Sequence, residues 1–209
     1  MRIGVFGGSF NPIHFGHLLV ADDIAETLAL DRVLFVPAAV PPHKPAAELA
    51  PALHRVAMTR LAVAEHPRFE VSEVELQRSG PSYTVDTLEA LRPRGELHLI
   101  IGSETFLDLL SWHEPRRLPG LARLVVVPRS GNAFDPAAPA AQKVLTELAL
   151  GPFARPGEDR RVVLTEAASL PISGSDLRRR ARTGRSLAYR MPAAVAAYIR
   201  QHGLYRDAP

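Results

Sequence analysis

Two histidines three residues apart, His14 and His17, follow a pair of glycines, and the run from the first glycine reads Gly7-Gly8-Ser9-Phe10-Asn11-Pro12-Ile13-His14-Phe15-Gly16-His17. On the first turn of a helix, side chains at i and i+3 lie on one side, so both imidazoles would face one ligand. The first N–H groups of a helix have no partner inside it, and with the helix dipole they form a site ready for anions. Gly7 and Gly8 let the backbone turn sharply and approach a ligand closely, while Pro12 stiffens the turn before the helix. A phosphate suits this site, and two imidazole donors beside it suit the charge that grows on a phosphoryl group during transfer. A His-x-Gly-His pair can also bind metal, but further His, Cys or carboxylate ligands would be wanted nearby, and none follows in order. No protein metal site is assigned.

A second set of candidate residues lies far along the chain. Ser173-Gly174-Ser175-Asp176 reads as a capping box that opens a helix, with Arg178, Arg179, Arg180 and Arg182 behind it. Capping explains Ser173 and Asp176. It does not explain hydroxyls at both 173 and 175, a glycine between them and an arginine on the next turn, which suit the outer phosphates of a triphosphate. Arg179 and Arg180 are expected to face solvent.

These residues need a scaffold that holds them at one edge. Arg2–Phe6, Arg32–Val36, Leu97–Ile101, Leu124–Val127 and Arg161–Leu164 are short apolar runs of the kind that become buried strands, and Val71–Leu76 alternates as a half-buried strand does. Between the first two runs, Leu18, Ala21, Ala25 and Leu28 follow helical spacing, which makes a βαβ unit of a parallel sheet. Ligands of such sheets bind at the carboxyl ends of the strands, where Gly102 and Glu104 stand after the fourth run. Helices are also expected from His54 to Glu65, from about Thr84, over 141–150 and from Pro192 to Tyr205; the last is assigned no chemistry. Residues 37–51, rich in Pro and Ala, are expected to form a mobile loop over the site, and 131–140 another loop.

The 209 residues suffice for one α/β domain. No cysteine is present, which excludes disulfides and thiolate metal sites. No long apolar segment or signal peptide is seen, so a soluble, cytoplasmic protein without membrane partners is expected. Of the net charge of +3, residues 151–209 carry +6, with 11 Arg against 5 acidic residues. That end suits a polyanion such as a nucleoside triphosphate. With only two lysines and no basic run interleaved with aromatics, nucleic acid is not expected as a partner.

The glycine and histidine run resembles the signature of the nucleotidyltransferase superfamily marked by His-x-Gly-His after the first strand, and specifically its nicotinate mononucleotide adenylyltransferase branch. Later segments repeat the likeness in order over nearly the whole chain: Pro41-Pro42-His43-Lys44, Ser82 to Leu88, Ile100-Ile101-Gly102, Trp112, and Ile172 to Arg178. The resemblance implies a Rossmann-like, doubly wound α/β fold with a parallel sheet, one domain over 1–209, divided into a core over 1–170 and a small helical part over 171–209. It implies adenylyl transfer from ATP to nicotinate mononucleotide, with Mg²⁺ arriving on ATP.

Carried over residue by residue, the resemblance gives His14, His17 and Arg178 as catalytic. It gives Gly7, Gly8, Ser9, Phe10, Gly16, Gly102, Glu104, Ser173 and Ser175 to ATP. Lys44 would contact the mononucleotide phosphate, and the backbone at Thr84 and near His113 its carboxylate, with Trp112 stacked on the pyridine ring. This chain departs from the pattern at Glu104, where the family usually has Asp, at His113, often aromatic, at Gly174, usually Ser, and at Ser175, usually Thr. Two rivals share the turn or its chemistry: a nicotinamide mononucleotide, phosphopantetheine or cytidylyl nucleotidyltransferase, and a nucleotide-sensing module without turnover.

Overall fold

The computed structural model describes residues 1–42, 45, 48–128 and 134–206. Six parallel strands, β1 (Arg2–Gly8), β2 (Arg32–Pro37), β3 (Phe69–Val71), β4 (Glu96–Gly102), β5 (Arg123–Val127) and β6 (Val162–Leu164), form one sheet in the order β3-β2-β1-β4-β5-β6. The eight α-helices of the described residues are α1 (Phe15–Thr27), α2 (Ala52–Val63), α3 (Thr84–Leu91), α4 (Ser103–Leu107), α5 (Leu118–Leu121), α6 (Pro139–Glu147), α7 (Gly174–Arg182) and α8 (Ala193–Gln201). This is the doubly wound, Rossmann-like arrangement that the resemblance implied, built on the parallel βαβ unit read from the apolar runs, with the strand order reversing between β1 and β4.

The central strands read as continuous apolar runs because both faces of the sheet are covered. Along β2, Val33 and Phe35 enter one core with Ile24, Met58, Leu177, Val195 and Ile199. Leu34 and Val36 enter the other with Val85, Leu88, Phe106 and Val144. Helices α1, α2, α7 and α8 therefore pack on one face, and α3, α4 and α6 on the other. No helix among the described residues is long and apolar enough to cross a membrane.

One strand departs from expectation. The alternation over 71–76 is not a strand: β3 ends at Val71, and Leu76 closes a turn onto the Glu73 carbonyl at 2.9 Å. β3 is an edge strand paired only to β2, and beyond it Glu75 turns inward to take a hydrogen bond from Thr87 at 2.7 Å. Period-two alternation is there, but after Val71 the chain turns in toward α3 instead of following β2 on to Pro37.

The described ends of the segment 37–51 are fastened. Ala38 N–H donates to Gly8 O at 2.9 Å, while Val40 exchanges bonds with Ser82, its N–H reaching Oγ at 3.1 Å and its carbonyl accepting the Ser82 N–H at 2.9 Å. His43 and Lys44 lie outside the described residues, as do 131–133 of the second expected loop.

Candidate active site

Between Gly8 and Phe15 the chain must leave the sheet and enter a helix in six residues. Phe10 takes a φ of 41°, a left-handed conformation rare outside glycine, and its buried ring packs on Phe6 and Phe35 at centroid distances of 5.9 and 5.7 Å. Apolar burial thus offsets local strain in the turn. The Asn11–Pro12 peptide is cis.

His14 precedes α1 and its backbone N–H donates to Nδ1 of His17 at 3.3 Å. An Nδ1 that accepts requires neutral His17 to carry its proton on Nε2, which makes that nitrogen the donor of the ring. The two imidazoles stack at 3.8 Å with planes 28° apart, and the edges of Phe10 and Phe6 confine the His17 ring at 5.2 and 6.1 Å. Gly16 leaves room for this stack: a Cβ there would stand 3.1 Å from the His14 ring and push it aside by a few tenths of an ångström.

Helix α7 brings the second set to the same turn. Ser173 caps it, accepting the Asp176 N–H at 3.2 Å, and the Ser173 and Ser175 hydroxyls lie 3.2 Å apart. Arg178 reaches across to donate from Nη1 to the Asn11 carbonyl at 2.9 Å. Gly174 permits the approach, since a Cβ there would lie 3.1 Å from that same carbonyl. Arg179 instead pairs with Asp176 at 2.5 Å, and Arg180 donates to the Ser186 carbonyl at 2.8 Å.

At the sheet edge, Gly7 on β1 and Gly102 on β4 face open space, with nothing within 4 Å of where a Cβ would stand. The backbone at the point where strand order reverses is therefore open to a ligand. Ser9 leads from β1 into the turn, and the Glu104 side chain is exposed in the first turn of α4. A cavity of about 670 Å³ opens on the same edge beyond β5 and β6, between Phe134, Phe153, Arg155, Thr165 and Glu166.

The expected mononucleotide side lies on the other face. The Tyr83 ring, just ahead of α3, stacks on His113 at 4.1 Å with planes 23° apart, which joins the start of α3 at Thr84 to the segment 112–113. Trp112 is half-buried against the core of that face. Below α3, Arg78 donates to the Thr87 hydroxyl at 2.9 Å and pairs with Asp86 at 3.4 Å, so the acidic residue in the first turn is neutralised. Burial raises the pKa of the Glu75 carboxyl, opposed by bonds from Thr87 and Ser82 and by the Arg78 charge.

Three contributors escaped the sequence. Arg55 of α2 is 1% exposed, and its guanidinium donates to the carbonyls of Ser9 at 2.8 Å, Ala39 at 3.2 Å and Ala50 at 2.9 Å. Burial lowers its pKa, but an arginine stays charged, and the three carbonyls solvate it. It ties the glycine turn to both ends of the segment over the site. Tyr83 stood in a recognised motif, yet its ring gave no sign of its partner. Tyr205 lies in the C-terminal segment assigned no chemistry, and its hydroxyl reaches Asn11 at 2.9 Å. A charged residue on the apolar side of α2 was the one available hint, for Arg55.

Comparison with known proteins identifies the family and the fold. The model of the cytidylyltransferase-like family matches residues 5–180. A Thermus thermophilus protein named "Probable nicotinate-nucleotide adenylyltransferase" is 49% identical over 209 residues, covering 99% of this chain and 100% of its own. A Roseiflexus protein of the same name is 46% identical, with 98% of each chain covered. Among solved structures, the Plasmodium falciparum nicotinic acid mononucleotide adenylyltransferase complexed with NaAD shares the fold, with a TM-score of 0.74 at 20% identity over 98% of this chain and 97% of that one.

Proposed function

The chain belongs to the cytidylyltransferase-like family and, by likeness over its full length, to the nicotinate-nucleotide adenylyltransferases, and we propose from that premise how its residues carry the reaction. The reaction is transfer of the adenylyl group from ATP to nicotinate mononucleotide, giving nicotinate adenine dinucleotide and pyrophosphate. A phosphate oxygen of the mononucleotide attacks the α-phosphorus, and the bond from that phosphorus to the bridging oxygen breaks as pyrophosphate leaves. The nucleophile is largely dianionic at neutral pH, because the second pKa of such a phosphate is about 6. No general base is needed, and the protein's part is positioning and charge stabilisation.

One observation carries this reading: the stacked imidazoles and Arg178, 161 or more residues apart in sequence, meet at a single turn at the start of α1. His17 Nε2–H and His14 would hold the phosphates around the reacting phosphorus. Ser173, Ser175 and Arg178 would grip the departing pyrophosphate, and open backbone at Gly7, Gly8 and Gly102 would lie against the nucleotide. Ser9, Phe10 and Gly16 shape the turn, and Glu104 would accept bonds from the ribose hydroxyls. Thr84, Trp112 and His113 would receive the nicotinate ring, and Lys44 the incoming phosphate.

Mg²⁺ enters as part of the substrate, Mg–ATP. Among the described residues no group of three or more His, Cys, Asp or Glu side chains could hold a metal ion, and the histidines of the turn are poor partners for an ion that prefers oxygen and keeps its waters.

The test is pyrophosphate release by purified protein given ATP with nicotinate mononucleotide, nicotinamide mononucleotide or phosphopantetheine. Release with the nicotinate compound supports the proposal. ATP binding with no release from any acceptor would favour a sensing module instead. Incubation with α-labelled ATP alone should leave no label on denatured protein, because the attacking oxygen in this proposal belongs to the mononucleotide and not to the protein.

A further inference from the structure

Asn11, in the middle of the glycine turn, is 5% exposed and fully engaged. Its Nδ2 donates to the Glu48 carbonyl at 2.8 Å, and its Oδ1 accepts the Ala50 N–H at 3.1 Å and the Tyr205 hydroxyl at 2.9 Å. Its backbone carbonyl accepts Arg178 Nη1 at 2.9 Å. One residue therefore joins the turn, the segment before α2, helix α7 and the end of the chain.

Tyr205 is the unusual member. It follows α8 with a φ of 64°, a left-handed backbone that is an outlier for a bulky side chain. Strained residues of this kind persist where surrounding contacts over-determine them, and they cluster at functional sites. Here the ring is partly buried against the core that contains Leu177 and Ile199, and the hydroxyl enters a space bordered by the charges of Arg55 and Arg178. Burial raises the Tyr205 pKa further above its ordinary value, so the phenol keeps its proton and donates. Tyr205 is bent into place, and its hydroxyl bond directs it onto Asn11.

We propose that Tyr205 is a positioning residue for the transfer site: by holding the Asn11 side chain it fixes the Asn11 carbonyl, and that carbonyl keeps the Arg178 guanidinium at the turn to grip pyrophosphate. Arg178 spends one N–H on the carbonyl and keeps the rest of its planar fork for phosphate oxygens. Tyr205 touches no reacting atom and acts through Asn11 and Arg178. This rests on the role proposed above for Arg178.

Tyr205→Phe deletes the hydroxyl and keeps the ring. It should melt within a few degrees of wild type. Its affinity for pyrophosphate, titrated directly with Mg²⁺, should fall about 2–12-fold, the range for one neutral hydrogen bond, and kcat should fall by a similar factor with an unchanged KM for the mononucleotide. Tyr205→Leu, which removes the ring as well, should lower the melting temperature further, and that added loss separates packing from positioning. In an Arg178→Ala background, Tyr205→Phe should cost nothing more for pyrophosphate. Equal pyrophosphate affinity in wild type and Tyr205→Phe, or a full additional loss in the Arg178→Ala background, would overturn the proposal. The titration needs no turnover, so a wild type that ignored nicotinate mononucleotide would sink the proposed reaction while the pyrophosphate affinities still decided on Tyr205.

Discussion

The two halves of the site are built in different ways. The proposed triphosphate side is a network of directed bonds from backbone and charged groups: Arg178 to Asn11, His14 to His17, and the Ser173 cap of its own helix. The proposed mononucleotide side is an arrangement of rings, with Tyr83 on His113 and Trp112 beside them. Directed bonds fix atoms to fractions of an ångström, which suits a reaction in which charge moves. Stacked rings fix a plane and tolerate sliding, which suits a group that must enter, be recognised and leave. The phosphate side should therefore govern rate, and the ring side choice of substrate.

Breaking the phosphate side should give the largest effect. His17→Ala removes the Nε2–H donor whose direction is set by the His14 N–H, and loss of one such donor typically costs about 10²-fold or more in kcat. The KM for ATP should change far less, because the donor is proposed to act on charge that develops in the transition state. A kcat close to wild type would show that the stacked pair shapes the turn without acting in it.

The ring side is sharpened by comparing acid and amide mononucleotides. The first N–H groups of α3 lack acceptors within the helix, and a carboxylate can take them with both oxygens, whereas an amide turns donors toward donors. One unmatched buried donor costs roughly 1–3 kcal/mol, and loss of a charge-assisted bond adds to it, so the acid should be preferred by about 10² in kcat/KM. Trp112→Ala should lower kcat/KM for both compounds alike, since stacking does not read the substituent. Equal use of both mononucleotides by wild type would remove the preference from this site.

The boundary between legible and illegible residues follows range in sequence. β1, β2, β4, β5 and β6 were readable because strands covered on both faces are unbroken apolar runs. The β3 boundary was not, since alternation reports a face and cannot report how many residues of a neighbour are there to pair. α5, four residues long, is barely one helical turn, too short for a period to repeat. The capping residue Ser173 and the His14–His17 pair were legible because their bonds span three residues. Arg55, Tyr83 and Tyr205 act on partners 30 or more residues away except at Ala39 and Ala50, and no local pattern encodes such a partner. The role of Gly174 was likewise hidden until the Asn11 carbonyl stood against it.

A smaller effect tests the opposite edge of the sheet, which carries no chemistry in this reading. His98 on β4 is 0% exposed, with no hydrogen bond to either ring nitrogen among the described residues and the Glu96 carboxylate 3.5 Å from Nε2. Burial holds its pKa below the ordinary value, aided by Arg2 and Arg123 and opposed by Glu96. The unfolded chain then binds the proton more readily, so stability declines as pH falls from about 6.5 toward the lowered folded pKa. His98→Leu should flatten that part of the melting-temperature profile against pH and leave kcat at neutral pH within about twofold, as expected of a substitution remote from the reacting atoms. An unchanged slope would assign the acid sensitivity to other groups.

The bond between Tyr205 and Asn11 closes a loop of 194 residues, whereas the one between His14 and His17 closes three. By the logarithmic rule for loop closure the longer one costs roughly 4 kcal/mol more if made in an open chain, more than one hydrogen bond returns. It becomes favourable only after the strands between have drawn the two ends together. During refolding, recovery of full pyrophosphate affinity should therefore trail the return of secondary structure, and a chain still being synthesised carries its histidine turn through every strand from β2 to β6 before the Tyr205 contact can complete it.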